Sequence, residues 1–148
     1  MRSDFYRFRA AWLIDAPVAT VFAAVVDVAR YPQWWPDVRT VSKIDEETAE
    51  LVCRATLPFA LTLRMTRLEQ DERAGRLGVA LTGDLEGSLT ARVQEGPGSA
   101  TRLEILQQVV ATKTLLRALS PLARPVFRAN HAVMMRRGQR GLRSMLRR

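Results

Sequence analysis

The sequence predicts an α+β fold, in which one curved, seven-stranded antiparallel sheet wraps around a long C-terminal helix and two short helices lie between the first and second strands. Two patterns support this prediction. In the middle of the chain, apolar residues alternate with polar ones, and turn residues separate the alternating segments. Near the C-terminus, the apolar spacing changes to the helical period of about 3.6 residues. At 148 residues, the chain is predicted to form a single domain over residues 1–148.

The first predicted strand covers Phe5–Ile14, where apolar residues take the even positions and arginines take two of the odd ones. Asp15-Ala16-Pro17 then predicts a helix start, because aspartate is a good helix cap and proline fits the first helical position. From Val18 to Val25, valine and phenylalanine recur at the spacing of one buried helical face.

Six further strands are predicted from alternating apolar and polar residues. Short turns such as Gly83-Asp84 and Gly96–Ser99 connect neighbouring strands, so we expect an antiparallel meander with one apolar and one polar face. The predicted strands cover Val38–Ile44, Ala49–Leu57, Phe59–Leu68, Arg76–Thr82, Leu85–Gln94 and Ala100–Thr112.

A long amphipathic helix is predicted to follow the start signal at Ser120-Pro121. Gly138 and Gly141 reduce the bulk of its apolar stripe, which would let the helix approach the sheet closely. The apolar stripe contains Phe127, His131, Met134, Gly138 and Met145. The opposite side contains Arg136, Arg140, Arg143 and Arg147.

The predicted sheet is wider than the single helix that covers it. Because strand twist accumulates, a sheet of this many strands curves and needs its concave apolar face covered. The small helices could fill the remaining part and leave a fully packed core. Alternatively, a cavity lined by aliphatic, methionine and aromatic side chains could remain there, which would suit an apolar ligand.

The segment YPQWWP, residues 31–36, combines two prolines with an adjacent tryptophan pair. We expect a short second helix or a tight turn. One tryptophan ring would pack on the core beneath the first helix, and the other would face the mouth of a cavity. At least one of Trp34 and Trp35 is expected to contact the cavity, although both could be purely structural.

Three stretches carry a family resemblance: APVATVFAAVVDVARYPQWWPDVRTV, TGDLEGSLTARV and LSPLARPVFRANHAVMMRRGQRGLRSML. In this order they resemble the polyketide cyclase/dehydrase and lipid-transport family, part of the START-like helix-grip superfamily that shares the fold of the major birch pollen allergen. The resemblance implies a deep pocket between the sheet and the last helix. It also implies that Tyr31–Pro36 lies near the mouth or the wall of that pocket.

The residues predicted to contact a ligand come from the YPQWWP segment, the inward faces of the strands and the last helix. They are Tyr31, Trp34, Trp35, Leu61, Leu63, Met65, Leu89, Gln107, Phe127, Asn130, His131 and Met134.

Among these residues, His131 is the only candidate for acid–base chemistry, because histidine titrates near neutrality and the chain has no other histidine. The alternative is a structural histidine that is hydrogen-bonded to a strand carbonyl. Gln107 would either bind a ligand carbonyl or hydroxyl group, or satisfy backbone groups. Cys53 is expected to behave as a small buried hydrophobe. No cofactor is expected, and one histidine with one cysteine does not suit a metal site.

The formal net charge of +8 would favour anionic partners. The arginines on the last helix could contact an anionic membrane peripherally, or could simply form a solvated face that complements the helix dipole. Nucleic acid is not favoured as a partner, because aromatic residues are not interleaved with the basic ones. We expect a cytoplasmic protein, since the N-terminal residues lack the apolar core of a signal peptide.

Three functions are compatible with these observations. The first is non-catalytic binding or transport of a small hydrophobic molecule, such as a lipid, an isoprenoid or a polyketide. The second is a cyclase, aromatase or dehydratase acting on a poly-β-ketone, with His131 as acid or base. The third is docking to a membrane or a protein partner through the basic helix.

Overall fold

The computed structural model describes residues 5–57, 59–112 and 123–147 and shows a seven-stranded antiparallel sheet with a long C-terminal helix. The strands are β1 Phe5–Ile14, β2 Val38–Lys43, β3 Thr48–Cys53, β4 Leu61–Asp71, β5 Arg76–Gly83, β6 Leu85–Glu95 and β7 Thr101–Ala111. The helices are α1 Val18–Val26, a 3₁₀ helix Val28–Gln33, and α2 Ala123–Leu146. The predicted fold class is therefore confirmed.

The strand order is β1-β7-β6-β5-β4-β3-β2, so the first two strands form the two opposite edges of the sheet. Strands β2 to β7 form the predicted meander, and β1 pairs with β7 from Phe5↔Val110 to Ile14↔Thr101. The chain between β1 and β2 must therefore cross the full width of the sheet. Helix α1 and the 3₁₀ helix make this crossing.

Helix α2 packs against the inward side chains of β1. The ring of Phe127 meets that of Tyr6 edge-on, with the centroids 4.9 Å apart. One turn later the His131 ring stacks on Phe8 at 3.7 Å. The stripe prediction missed Leu142, which is 0% exposed and anchors the C-terminal half of the helix.

The predicted strand Ala49–Leu57 was too long at its C-terminal end, because β3 stops at Cys53. The next strand begins at Leu61 rather than at Phe59. The cause is a tertiary contact: the side-chain oxygen of Asn130 on α2 accepts hydrogen bonds from the backbone N–H groups of Thr56, at 2.9 Å, and Leu57, at 3.3 Å. These bonds hold the chain in a bend where alternation alone predicted a strand.

The predicted start of the last helix at Ser120-Pro121 lies outside the described residues. In the described part, α2 runs from Ala123 and contains Pro125 in its first turn. Proline is tolerated there, because the first backbone N–H groups of a helix have no intrahelical partner.

Gly138 and Gly141 let α2 approach the tryptophans rather than the sheet in general. A Cβ atom on Gly141 would lie 1.6 Å from the backbone oxygen of Trp34. A Cβ atom on Gly138 would lie 2.7 Å from ring carbons of both Trp12 and Trp35. Through these two glycines, α2 mainly approaches the segment that follows the 3₁₀ helix. Trp12 of β1 is the sheet residue that the glycines contact.

We expect Gly141→Ala to reduce the free energy of unfolding by about 3 kcal/mol or more, because the new methyl group overlaps backbone that cannot move alone. The gain in helix propensity, about 1 kcal/mol, is too small to offset this overlap. Denaturant unfolding of the purified variant measures the change.

The matched control is Gly78→Ala in β5, where the added Cβ would meet only Glu69 Cβ at an ordinary 3.7 Å. This variant should stay within about 1 kcal/mol of the parent. Equal stability of the two variants would contradict the close helix–tryptophan contact.

Candidate functional site

A partly enclosed cavity of about 100 Å³ lies between the concave face of the sheet and α2. Its wall is almost entirely apolar, and every residue predicted to contact a ligand lines it. These residues are Tyr31, Trp34, Trp35, Leu61, Leu63, Met65, Leu89, Gln107, Phe127, Asn130, His131 and Met134. Their role in binding a ligand is a proposal that rests on this placement.

Several lining residues were absent from the predicted set. Trp12, Leu103 and Ile105 also face the cavity. Their positions on the inward faces of β1 and β7 follow from the same alternation that predicted the strands, so the sequence pattern contained this signal. Met135 lines the cavity as well, but it lies beside the predicted helical stripe.

The size of the cavity limits what it can hold in this conformation. Sites for drug-sized ligands usually measure about 300–1,000 Å³. A volume of about 100 Å³ accommodates only a small group. Met65, Met134 and Met135 form part of the wall, and methionine side chains rearrange readily because they are unbranched and flexible. A larger ligand must therefore displace these side chains.

The tryptophan pair and its aromatic neighbours close one end of the cavity. The rings of Trp34 and Trp35 stack with centroids 5.4 Å apart and planes 18° apart. Trp12 meets both of them edge-on, at 6.4 Å and 5.6 Å. The expectation that the two rings point in different directions was wrong, since they lie side by side and both line the cavity.

Polar contacts hold the members of this aromatic cluster in place. The indole N–H of Trp35 donates to the backbone oxygen of Met134 at 2.9 Å. The Tyr31 hydroxyl donates to the backbone oxygen of Val25. Burial, together with the nearby charge of Asp27, raises the pKa of Tyr31 well above its ordinary value. Tyr31 therefore acts here as a neutral hydrogen-bond donor.

His131 and Gln107 form the polar pair of the cavity wall. His131 Nε2 lies 3.0 Å from Gln107 Oε1, which connects α2 to the middle of β7. Gln107 is buried, and within the described chain the other end of its amide has no hydrogen-bond partner. One amide end is thus committed to the histidine, and the other is left to meet a polar atom in the cavity.

Burial lowers the pKa of His131 to about 4. The imidazole is therefore neutral at pH 7, where it can donate or accept a hydrogen bond. Because the protonated form is disfavoured, His131 is a weak base at neutral pH, and it rarely carries the proton that a general acid would donate. Of its two predicted roles, the geometry is closer to the structural one, with the side chain of Gln107 rather than a strand carbonyl as the hydrogen-bond partner.

Asn130 lines the cavity, but its side-chain oxygen is already hydrogen-bonded to the bend after β3. That oxygen accepts from the Thr56 hydroxyl at 2.9 Å, in addition to the two backbone N–H groups of the bend after β3. Its amide nitrogen lies 3.8 Å from the sulfur of Met134. Asn130 thus positions the bend that completes the cavity wall.

Cys53 also lines the cavity, as expected for an inward residue of β3. Burial, assisted by the charge of Asp37, raises the pKa of its thiol to about 12. The thiol is therefore protonated at neutral pH and lacks the reactivity of a thiolate.

A buried ion pair outside the predicted set follows the tryptophans. Asp37 is 0% exposed, and its Oδ1 lies 2.8 Å from the Nη1 atom of Arg137 on α2. The second oxygen, Oδ2, is buried and has no hydrogen-bond partner in the described chain. A carboxylate so placed needs the arginine, because an unpaired buried charge is strongly destabilising. No local sequence pattern pairs Asp37 with a residue one hundred positions away.

The predicted arginine face of α2 is only partly free. Arg143, which is partly buried, donates to the backbone oxygen of Leu13 at 2.7 Å and lies 3.2 Å from the side-chain oxygen of Gln139, so its guanidinium group is already engaged. Arg136, Arg140 and Arg147 are exposed. Contact of these three with an anionic membrane stays a prediction.

A curved antiparallel sheet that grips one long helix, with an apolar cavity between them, defines a helix-grip fold of the START type. The chain belongs to the polyketide cyclase/dehydrase and lipid-transport family, whose model matches residues 14–135. No curated protein sequence matches the chain.

Solved structures share this fold at low sequence identity. The Zhui aromatase/cyclase from Streptomyces sp. R1128 has a TM-score of 0.82 at 14% identity, over 97% of this chain and 94% of that chain. A START superfamily protein from Mycobacterium smegmatis has a TM-score of 0.76 at 12% identity, over 95% and 97%. Ara h 8.0201 has a TM-score of 0.63 at 13% identity, over 95% and 99%. At such identities the likeness shows the fold alone.

Across the described ranges 5–57, 59–112 and 123–147, no helix combines the length and the apolar character needed to cross a membrane.

His131 should make the stability of the protein depend on pH. Its pKa is near 6.5 when unfolded and about 4 when folded, so the unfolded chain binds the extra proton between these values. The stabilisation by the neutral histidine is therefore complete above about pH 6.5 and is lost as the pH falls towards 4.

We expect the free energy of unfolding to fall between pH 7 and pH 4.5 by about 2 kcal/mol more in the parent than in His131→Gln. Glutamine keeps a hydrogen-bonding group and does not titrate. Urea unfolding at both pH values measures the difference. Identical pH dependence of the two proteins would contradict a neutral, buried His131.

Proposed function

We propose that this protein binds a small hydrophobic molecule in the cavity between the sheet and α2. The observation that best supports this proposal is the wall itself, which is almost entirely apolar and carries the His131–Gln107 pair as a polar contact. Such a site favours ligands with a large apolar body and one hydrogen-bonding group. Lipids, isoprenoids and polyketide-like molecules all have this character.

Energetics indicate how much the cavity must open. Burial of apolar surface contributes roughly 25 cal/mol per Å², so micromolar affinity requires at least about 330 Å² of buried ligand surface. The true requirement is larger, because binding also costs translational and side-chain freedom. A cavity of about 100 Å³ cannot provide this surface without movement. A bound ligand must therefore displace the side chains of Met65, Met134 and Met135.

The polar pair would orient the ligand. A ligand carbonyl or hydroxyl group could bond to the end of the Gln107 amide that His131 does not use. This contact adds specificity, because a buried amide that stays unpaired costs free energy. Ligands without such a group should bind more weakly in this part of the cavity.

A cyclase or dehydratase reaction on a poly-β-ketone is the second candidate. The family description includes such enzymes, and His131 lies on the cavity wall where an acid or base would be needed. Its low pKa would restrict it to accepting a proton or donating a hydrogen bond at pH 7. Such an enzyme predicts that His131→Gln abolishes turnover while ligand binding persists.

Neutral apolar probes test the binding function directly. We expect methyl 2-naphthoate or 1-decanol to bind saturably, with dissociation constants in the micromolar range, as measured by tryptophan fluorescence and calorimetry. Ala91→Leu adds bulk inside the cavity and should weaken binding at least tenfold, since it occupies space that the probe needs.

The control is Ala80→Leu, the same substitution on β5 at a position that does not line the cavity. It should bind as the parent does. If neither probe binds the parent, or if both variants lose binding equally, the cavity is not the binding site.

A further inference from the structure

A second concavity lies outside the cavity, between the edge strand β1 and α2. This basic groove, defined by Arg7, Arg9, Arg128 and Arg136 together with the side chains between them, measures about 440 Å³ and opens to solvent. Two of the arginines come from β1 and two from α2, so they lie on opposite walls. All four are exposed.

These four arginines have no anionic partner within the described chain. The ion pairs there use other cations, such as Arg67 and Arg137, and no aspartate or glutamate lines the basic groove. Four like charges around one groove repel each other, and an anion placed between them relieves that repulsion. The basic groove is therefore complementary to a negatively charged group.

The geometry of the sheet edge explains why the groove exists. At Leu13, side chains of α2 close onto β1: the Gln139 oxygen accepts from the Leu13 N–H at 3.1 Å, and Arg143 donates to the Leu13 oxygen. The groove runs along β1 from Trp12 back to Arg7, and Gln139 lines it at the end next to Leu13.

Only a thin wall separates the basic groove from the cavity. Trp12, His131 and Met135 line both of them. Phe8 lines the groove, and its ring stacks on the ring of His131 with the two centroids 3.7 Å apart. A molecule whose apolar body fills the cavity could therefore reach the arginines across a single layer of side chains.

We propose, on the basis of the proposed binding function, that the ligand is an amphiphilic acid. Its carboxylate lies in the basic groove on Arg9 and Arg136, and its apolar body passes between Trp12, His131 and Met135 into the cavity. Arg9 and Arg136 are chosen because both line the basic groove, one from β1 and one from α2, and because Arg136 directly follows Met135 of the shared wall. The carboxylate is an anionic group that guanidinium binds in a bidentate manner.

The experiment compares 2-naphthoic acid with methyl 2-naphthoate, which has the same apolar body and no charge. We expect the acid to bind the parent protein at least tenfold more tightly at low ionic strength. In Arg9→Gln/Arg136→Gln this advantage should fall to about threefold or less, while the affinity for the ester stays unchanged.

The matched control is Arg73→Gln/Arg140→Gln, which removes the same charge from exposed positions outside the groove and should keep the tenfold advantage. Equal affinity of acid and ester for the parent would overturn the proposal and leave the binding function intact. An equal loss of the advantage in both double variants would also overturn it, since net charge alone would then explain the effect. Absence of binding by both compounds would refute the binding function itself.

Discussion

The contact between α2 and the tryptophan pair is the constraint on which the rest of the structure depends. Gly141 brings the helix against the Trp34 backbone, where no side chain would fit. Trp35 donates to the helix backbone at Met134, and Asp37 pairs with Arg137 just beyond. These contacts fix the helix to the segment that crosses from one sheet edge to the other. The position of α2 over the sheet is therefore set mainly by contacts of the C-terminal half of the helix.

The cavity is a consequence of this arrangement. Because α2 is held by the tryptophan segment, its N-terminal half lies over the concave face without filling it, and touches the sheet through Phe127 and His131. The wall of the cavity combines flexible methionines from β4 and α2 with aromatic rings. Opening therefore requires the methionines to move, whereas the aromatic end is fixed by hydrogen bonds and close packing.

Local patterns predicted most of the fold and the composition of the cavity wall, because alternation and helical spacing determine which side chains point inward. They failed where a distant residue controls the backbone. The bend after Cys53 depends on Asn130, and the buried Asp37 depends on Arg137. The stacking of Trp34 on Trp35 likewise arises from Trp12 and the glycines of α2, which lie far away in the sequence. The basic groove also required the structure, since its arginines come from the two ends of the chain.

We propose that movement of the methionines enlarges the cavity, and that an apolar ligand then lies against the tryptophans of its wall. All three tryptophans of the chain, Trp12, Trp34 and Trp35, line that cavity. Fluorine NMR of protein labelled with 5-fluorotryptophan, titrated with methyl 2-naphthoate, therefore observes the site without any substitution. We expect all three resonances to shift saturably with one dissociation constant. Resonances that stay unchanged while the ligand binds elsewhere, or that show no saturation, would contradict it.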